Sequence, residues 1–255
     1  MKASIDEIKK YLNINENIEI EIIDSTESTN EDMKIKARRG KDEIAVLIAE
    51  KQTKGKGSKG RSFYSPHGTG IYMSLLLRPK FRPDETTLLT TMTAVALSQA
   101  IDKVTKEKSQ IKWVNDIYIG GKKVAGILTE GAFKSEEKID YAIVGIGINL
   151  AVPDEGFPEE IKNIAGALGQ TKIINELIGE IINHFHYYYR RLPDSAYVEQ
   201  YRKRLFFLGK EIKVINHEVS YKATALDIDD KCRLIVKKQN GEVLTLNSGD
   251  ISVKI

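Results

Sequence analysis

The first sign of chemistry in this sequence is a glycine-rich basic segment at residues 50–61. It follows an apolar run, Ile44–Ala49, and places Gly55, Gly57 and Gly60 among five cations. Glycine lets a backbone turn its N–H groups inward, and the resulting concavity binds anions. The segment therefore predicts a loop that wraps a phosphate or a carboxylate. It lacks the Gly-Lys-Ser/Thr ending of nucleotide-hydrolase phosphate loops, and a solvated flexible loop is the alternative.

A second segment places a lysine among apolar neighbours. Lys112 precedes the single tryptophan, Trp113, and a polar Asn115-Asp116 corner; a glycine pair at 120–121 predicts a two-residue hairpin turn. A lysine on a largely buried strand is costly unless an anion neutralises it, which makes Lys112 a candidate anion ligand. The alternative is a solubilising charge on an edge strand.

The composition restricts the class of protein. The net charge of +3 over 255 residues is too small to indicate a general nucleic-acid-binding surface. The single cysteine, Cys232, excludes an internal disulfide framework and is typical of a reducing cytoplasm. No apolar run approaches the roughly 20 residues that span a bilayer. The length allows one large domain and a small one.

Periodicity predicts an α/β chain whose pattern changes after Gly209. Ser28 and Glu31 match a capping box at the start of a helix that ends at Gly40. Strands are expected at 18–23, 44–50, 71–77, 110–114, 117–119, 122–130 and 140–149, and helices at 83–104, 161–168, 173–192 and 195–207. Short strands at 211–214, 219–227, 232–237 and 243–246, with an Asn240-Gly241 hairpin, predict a small β-domain.

The order of these motifs resembles that of the biotin protein ligases. The basic loop precedes the Lys112–Asp116 corner, a Lys-Val-Ala-Gly-Ile-Leu-x-Glu strand at 123–130 and Gly-Ile-Gly-Ile-Asn at 145–149. The resemblance covers roughly residues 20–255. It implies an α/β (α+β) fold: a mixed β-sheet catalytic domain backed by helices at 1–207, class II synthetase-like and of the biotin/lipoate ligase type. It also implies a small C-terminal SH3-like β-barrel at 208–255.

The resemblance also implies an ATP-dependent reaction in two steps. The biotin carboxylate attacks the α-phosphorus of ATP, giving biotinyl-5′-adenylate and pyrophosphate. The ε-amine of a lysine on a biotin carboxyl carrier domain then accepts the biotinyl group. Because two anions must meet, such a site needs charge neutralisation and positioning. Mg²⁺ would be held largely by the ATP phosphates, so no set of protein metal ligands is expected.

Site residues follow from the resemblance, motif by motif. The implied catalytic residues are Lys112 and Lys56. The implied biotin-binding residues are Ser28, Thr29, Asn30, Gln52, Gly55, Lys56, Gly57, Ser58, Lys112, Gly126 and Gly145. The implied ATP- or adenylate-binding residues are Lys56, Phe63, Lys112, Asn115, Asp116, Gly147 and Asn149. The family loop often has arginine where Lys56 and Ser58 stand, which implies a looser seal over the adenylate.

Two other functions remain open. Lipoate–protein ligases and octanoyltransferases share the catalytic fold, although the basic loop and the Lys112–Asp116 corner favour biotin. A biotin-sensing repressor is disfavoured, because the segment before residue 20 is too short for a helix-turn-helix with its support. We therefore expect a monofunctional cytoplasmic ligase without specific DNA binding or membrane association. The resemblance implies a homodimer joined through the catalytic sheet, and a carrier domain of a biotin-dependent carboxylase as partner.

Overall fold

A seven-stranded mixed sheet forms the centre of the computed structural model, which describes residues 2–16, 18–41, 44–80, 86–135, 138–192, 194–216, 219–247 and 250–253. Its strands are β1 (Glu19–Ile23), β2 (Ala45–Ala49), β3 (Gly70–Leu77), β4 (Gln110–Lys112), β5 (Asp116–Ile119), β6 (Lys122–Ser135) and β7 (Lys138–Asn149). They lie in the order β1-β2-β3-β7-β6-β5-β4, and β1 and β2 are parallel while the other neighbours are antiparallel. The predicted mixed sheet is confirmed.

Helices pack on both faces of this sheet. They are α1 (Ile5–Lys9), α2 (Thr29–Arg38), α3 (Thr86–Thr105), α4 (Ile174–Tyr189) and α5 (Ala196–Arg204). Ile146 of β7 belongs to the larger core with residues of α3 and α4, whereas Ile143 belongs to a smaller cluster with Met33 of α2. Because strand side chains alternate between faces, Gly145 and Gly147 lie on the α2 face. That face carries the candidate site.

The chain after α5 forms a second, antiparallel sheet. Its strands are β8 (Glu211–Asn216), β9 (Val219–Ile228), β10 (Leu234–Lys238), β11 (Val243–Leu246) and β12 (Asp250–Val253), in the order β11-β10-β9-β8-β12. The predicted hairpin turn is confirmed, because the N–H of Gly241 donates to the Lys238 carbonyl at 3.0 Å and Gly241 has a φ of +88°. The small β-domain is confirmed, with β12 as a strand that the sequence pattern did not predict.

The predicted helix at 161–168 is wrong. The backbone makes two successive turns, whose hydrogen bonds the carbonyls of Pro158 and Ile161 accept. It then pairs with β6, where the N–H of Lys123 donates to the Ile164 carbonyl at 2.8 Å. The N–H of Gly166 donates to the Lys123 carbonyl, also at 2.8 Å. The carbonyl of Ile164 and the N–H of Gly166 are therefore bonded to Lys123 of β6 instead of to groups of a continuous helix.

The capping box predicted for α2 is also wrong, although the helix begins after Ser28 as expected. The Ser28 side chain makes no cap hydrogen bond, and Glu31 instead pairs with Lys34 at 2.8 Å. The N–H of Thr29 donates to Oε1 of Gln52 at 2.9 Å. A side chain from the base of the basic loop thus satisfies a helix N-terminal donor.

Other predicted boundaries shift by a few residues. The strand expected at 110–114 ends at Lys112, because residues 113–115 turn into β5, and the strand expected at 232–237 begins at Leu234. The predicted start of α3 at Pro83-Asp84 lies outside the described residues. Among the helices that the structure describes, none is long and apolar enough to cross a membrane.

The C-terminal sheet contacts the catalytic part through the turn before β10. Cys232 in this turn is buried, and its backbone has a left-handed φ of +57°. The indole N–H of Trp113 donates to the Cys232 carbonyl at 2.9 Å, and the hydroxyl of Tyr201 donates to the Val114 carbonyl at 3.0 Å. Trp113 and Val114 are thereby held from the C-terminal half of the chain.

Candidate active site

A cavity of about 530 Å³ opens between α2, the basic loop and the segment 157–165. This volume lies in the range of small-molecule sites. The predicted residues that line it are Ser28, Thr29, Asn30, Gln52, Lys56, Gly57, Ser58, Phe63, Lys112, Asn115, Asp116, Gly126, Gly145, Gly147 and Asn149. The structure therefore brings together residues from both the basic loop and the Lys112–Asp116 corner.

Gly55 is the predicted site residue that the cavity lining does not include. A Cβ at Gly55 would lie 2.4 Å from the Phe63 carbonyl oxygen and 2.6 Å from Oγ of Ser65. Both distances are shorter than any real Cβ contact, so only glycine allows this approach. Gly55 therefore packs against Phe63 and Ser65 and does not itself line the cavity.

One end of the cavity carries a hydrogen-bonded set of neutral polar side chains. Oε1 of Gln52 accepts from both the N–H and the hydroxyl of Thr29, at 2.9 and 3.1 Å, and Nε2 of Gln52 donates to Oγ of Ser65 at 3.0 Å. Oγ of Ser74 donates to Oδ1 of Asn30 at 2.6 Å and lies 2.7 Å from Oγ1 of Thr29. These side chains hold one another in fixed orientations, which suits recognition of a polar ring.

Glycines on the sheet make room for the side chains of this wall. A Cβ at Gly145 would lie 2.3 Å from Oδ1 of Asn30, and a Cβ at Gly147 would lie 2.6 Å from Cε1 of Phe63. Each glycine therefore faces a predicted site residue. Their positions in the Gly-Ile-Gly strand follow from close packing of those two side chains against the sheet.

The other end of the cavity is cationic and includes a lysine that the sequence analysis did not single out. Nζ of Lys123 lies 2.6 Å from Oδ1 of Asp116, and a Cβ at Gly126 would lie 3.2 Å from that Nζ. The pairing of β5 with β6 skips Val124, and this bulge turns Lys123 to the same face as Gly126. The sequence indicates Lys123 only by its place in the Lys-Val-Ala-Gly strand. Simple strand alternation would put its side chain on the face opposite to Gly126.

The basic loop is folded as a short hairpin over the cavity. The N–H of Gly57 donates to the Arg61 carbonyl at 2.7 Å, and the N–H of Phe63 donates to the Gly55 carbonyl at 2.8 Å. The guanidinium of Arg61 donates to the Ser58 carbonyl at 3.1 Å and to the Ser58 hydroxyl at 2.9 Å. Arg61 was not among the predicted site residues. Its guanidinium places a positive charge beside Ser58, where the family often has an arginine.

Lys56 of this loop forms an ion pair with Glu31 of α2. Hydrogen bonds from Lys34 and from Lys56 hold the pKa of the Glu31 carboxyl at about 2, below its ordinary value. The loop is therefore attached to the helix by a carboxylate that stays ionised at neutral pH.

The segment 157–165 closes the remaining side of the cavity. Phe157, Ile161 and Ile164 line it with apolar side chains, and Glu160 adds a carboxylate. None of the described lining residues is a histidine or a cysteine. The arrangement combines a neutral polar pocket, several cations and an apolar wall, so it is equipped to neutralise and align anions rather than to attack them covalently.

Comparisons with known proteins match both parts of the chain. Residues 20–149 match the model of the Biotin/lipoate A/B protein ligase family, and residues 207–254 match that of the Biotin protein ligase C terminal domain. The chain is 33% identical over 240 residues to the bifunctional ligase/repressor BirA of Bacillus spizizenii, which covers 91% of this chain and 72% of the relative.

A second curated relative and a solved structure are also similar to this chain. The chain is 26% identical over 243 residues to the biotin–[acetyl-CoA-carboxylase] ligase of Mycobacterium tuberculosis, covering 91% of this chain and 88% of the relative. A solved structure of the biotin protein ligase from Aquifex aeolicus in complex with biotin and ATP superposes with a TM-score of 0.73 and 26% identity. That match covers 92% of this chain and 97% of the other.

Proposed function

This chain belongs to the Biotin/lipoate A/B protein ligase family and is a biotin protein ligase, and we propose how its own residues carry the reaction. It forms biotinyl-5′-AMP from biotin and ATP and transfers biotin to a lysine of a biotin carboxyl carrier domain. The observation that carries the assignment of residues is that one cavity is lined both by the hydrogen-bonded side chains of Thr29, Asn30 and Gln52 and by several lysines.

In this proposal the ring of biotin is recognised at the polar end. The ureido group offers two N–H donors and a carbonyl acceptor, and Thr29, Asn30 and Gln52 present amide and hydroxyl groups in fixed orientations. The dithiolane of lipoate and the alkyl chain of octanoate offer no such groups. A buried polar site rejects a ligand that leaves its groups unpaired, so this end favours biotin over both alternatives.

The cationic end aligns the two reacting anions. Lys56, Lys112 and Lys123 line the cavity together, and their charges offset the repulsion between the biotin carboxylate and the ATP phosphates. The carboxylate oxygen attacks the α-phosphorus, and the bond to the bridging oxygen of pyrophosphate breaks. In the second step the neutral carrier amine attacks the carbonyl carbon, and the bond from that carbon to the phosphate oxygen of AMP breaks. AMP leaves, and the amine nitrogen gives up one proton as the amide forms.

Phe63, Asn149 and the segment 157–165 form the adenosine side of the site in this proposal. The Phe63 ring lies against Gly147, and the amide of Asn149 donates to the Gly166 carbonyl at 2.9 Å. The side-chain amide of Asn115 donates to the Ile127 carbonyl at 2.7 Å, which fixes its orientation beside Asp116. An apolar wall with a few oriented polar groups suits a purine base and a ribose.

We also propose that Mg²⁺ assists at this end. The acidic residues among the cavity-lining residues are Asp116 and Glu160, and no cluster of three or more potential metal ligands occurs among the described residues. One or two carboxylates fit a Mg²⁺ ion that takes most of its ligands from water and phosphate. Asp116 and Glu160 would hold the ion, which would neutralise charge on the phosphates.

The remaining features of the proposal concern organisation and partners. The catalytic domain is residues 1–207 and the C-terminal domain 208–255; the seven-stranded and five-stranded sheets fall on either side of this boundary. The acceptor is the carrier domain of a biotin-dependent carboxylase, and the compartment is the cytoplasm, which suits a single buried cysteine.

A homodimer would form through the catalytic sheet, where β6 beyond Gly126 pairs with β7 alone among the described strands.

The experiment is pyrophosphate release with ATP and one acid at a time, followed by transfer to a carrier domain. Biotin should support rapid release, and the carrier should gain the mass of a biotinyl group on one lysine. Lipoate and octanoate serve as matched acids without a ureido ring. Faster release or transfer with either of them would overturn the assignment to biotin.

A further inference from the structure

Lys34 of α2 lies between two carboxylates from different parts of the chain. Its Nζ lies 2.8 Å from Oε1 of Glu31 on the same helix and 2.7 Å from Oε1 of Glu130 on β6. The Lys34 side chain is only 17% exposed. A shielded lysine with two carboxylate partners is a stronger connection than an exposed ion pair, because water and salt screen it less.

Through Glu130, Lys34 reaches the polar end of the cavity. The second carboxylate oxygen of Glu130 accepts a hydrogen bond from Nδ2 of Asn30 at 2.8 Å, and Oδ1 of Asn30 accepts from Ser74 at 2.6 Å. Asn30 and Lys34 are four residues apart and so share one face of α2. An amide that donates on one side and accepts on the other cannot flip without losing both bonds, so Glu130 and Ser74 define which way Asn30 faces.

Through Glu31, Lys34 reaches the basic loop. Glu31 binds Lys34 with the same oxygen that pairs with Lys56 of the loop. The two lysines therefore share one carboxylate oxygen, and the position of Glu31 depends on both. The contacts of Lys34 lead through Glu130 to Asn30 in one direction and through Glu31 to Lys56 in the other.

We propose that Lys34 is a positioning residue for both the biotin-recognition side chains and the basic loop. It holds Glu130 against Asn30 and Glu31 against Lys56. The inference rests on the proposed function, since it concerns how biotin and its adenylate are held. It adds a residue outside the cavity wall: Lys34 does not line the cavity and acts only through its two carboxylates.

Removal of the Lys34 charge has a definite physical consequence. A shielded Glu130 carboxylate without its counter-charge either takes up a proton or turns toward water, since an unpaired charge is costly away from solvent. Both changes alter the acceptor that Asn30 faces. Glu31 would at the same time keep Lys56 as its cationic partner and would be free to follow the loop.

The test compares Lys34→Met with Lys36→Met in the intact protein. Lys36 is on the same helix and pairs with Glu21 at 2.6 Å, but it does not contact the site, so it is a matched control for loss of a helix lysine and its ion pair. Lys34→Arg keeps the positive charge and should therefore retain the KM for biotin and the adenylate release rate of the unmodified protein. The measured quantities are KM for biotin, kcat for pyrophosphate release, the release rate of biotinyl-5′-AMP and the melting temperature.

Lys34→Met should raise KM for biotin by about tenfold, with kcat changed much less, because a charge-assisted contact to the recognition wall is lost. Adenylate release should also become faster. In Lys36→Met and Lys34→Arg, KM for biotin and the adenylate release rate should stay near the values of the unmodified protein. Equal KM values in Lys34→Met and Lys36→Met would overturn the inference, whereas a failure of the unmodified protein to activate biotin would overturn the proposed function instead.

Two further variants keep the test decisive if Lys34→Met does not fold. Glu130→Gln disturbs the arm to Asn30 and should raise KM for biotin, while Glu31→Gln disturbs the arm to Lys56 and should speed adenylate release. Near-unmodified values of both quantities in both variants would refute the positioning role.

Discussion

The indole N–H of Trp113 donates a hydrogen bond to the backbone carbonyl of Cys232 at 2.9 Å, across 119 residues of sequence. Both residues are buried. Trp113 directly follows Lys112, which lines the cavity, whereas Cys232 lies in a turn of the C-terminal domain. A domain that contributes no described residue to the cavity wall thus holds the neighbour of a cavity lysine in place.

Trp113→Phe should destabilise the protein and impair catalysis together. The phenyl ring keeps most of the packing, but the buried Cys232 carbonyl loses its donor, which costs about 1–3 kcal/mol. The corner that carries Lys112 should loosen, so kcat for adenylate formation should fall. Urea unfolding and pyrophosphate release measure the two effects. Cys232→Ala keeps the carbonyl and should retain activity; a normal kcat in Trp113→Phe would contradict the coupling.

Gly145→Ala should weaken biotin binding more than it weakens the fold. The new Cβ would lie 2.3 Å from Oδ1 of Asn30, so the amide must move out of its bonds to Ser74 and Glu130. Gly131→Ala on β6 is the control, because its Cβ would come no nearer than 3.3 Å to the Tyr141 carbonyl oxygen. Isothermal titration with biotin reads the difference. Equal affinities in the two variants would show that Asn30 does not recognise the ring.

Lys112→Ala and Lys123→Ala should each lower the rate of adenylate formation by a factor on the order of 10² to 10³, as loss of an electrostatic contact to the transition state does. Lys36→Ala is the matched control, because Lys36 does not line the cavity and pairs with Glu21 at 2.6 Å. Single-turnover pyrophosphate release is the measurement. A folded Lys112 or Lys123 variant with the rate of the control would remove that lysine from the mechanism.

The stabilisation that Glu31 provides should disappear in acid. Hydrogen bonds from Lys34 and then from Lys56 lower the pKa of Glu31 to about 2 in the folded state, against an ordinary value of 4.5. Its contribution is therefore complete above pH 4.5 and is lost as the pH falls toward 2. Urea midpoints of Glu31→Gln and the unmodified protein should differ at pH 6 and converge only as the pH falls to about 2.

The control for this pH dependence is Glu27→Gln. The Glu27 pair with Lys54 has a similar distance of 2.7 Å, but both side chains are about two-thirds exposed. Such exposed pairs contribute little, so this variant should match the unmodified protein throughout. A constant gap between Glu31→Gln and the unmodified protein down to low pH would refute the assignment of the shift to Glu31.

Arg61→Gln should speed the escape of biotinyl-5′-AMP several-fold. Arg61 returns across the loop to Ser58, so it supplies there the cation that the serine lacks. Lys54→Gln is the control, because Lys54 is a loop cation that pairs outward with Glu27. Rapid filtration of the preformed adenylate complex measures the rate. If the two variants release adenylate equally, Arg61 does not seal the loop.

Local sequence pattern predicted much of this molecule, because its signals act over a few residues. Alternating apolar residues predicted most strands, and a Gly-Gly and an Asn-Gly pair predicted the turns at 120–121 and 240–241. The basic loop and the Lys112–Asp116 corner predicted residues that line one cavity. Each of these depends on backbone freedom, strand alternation or charge density, which neighbours along the chain determine.

Tertiary structure decided what depends on distant partners. The segment 161–168 has an apolar pattern that also suits a helix, but the backbone bonds of Ile164 and Gly166 to Lys123 end its turns at Ala165. The bulge at Val124 turns Lys123 into the cavity, and Gln52 replaces the expected cap of α2. Lys34 gains its position only when α2 packs against β6, 96 residues away. Such backbone and charge pairings bring together groups whose separation along the chain carries no local signal, so only the folded chain fixes them.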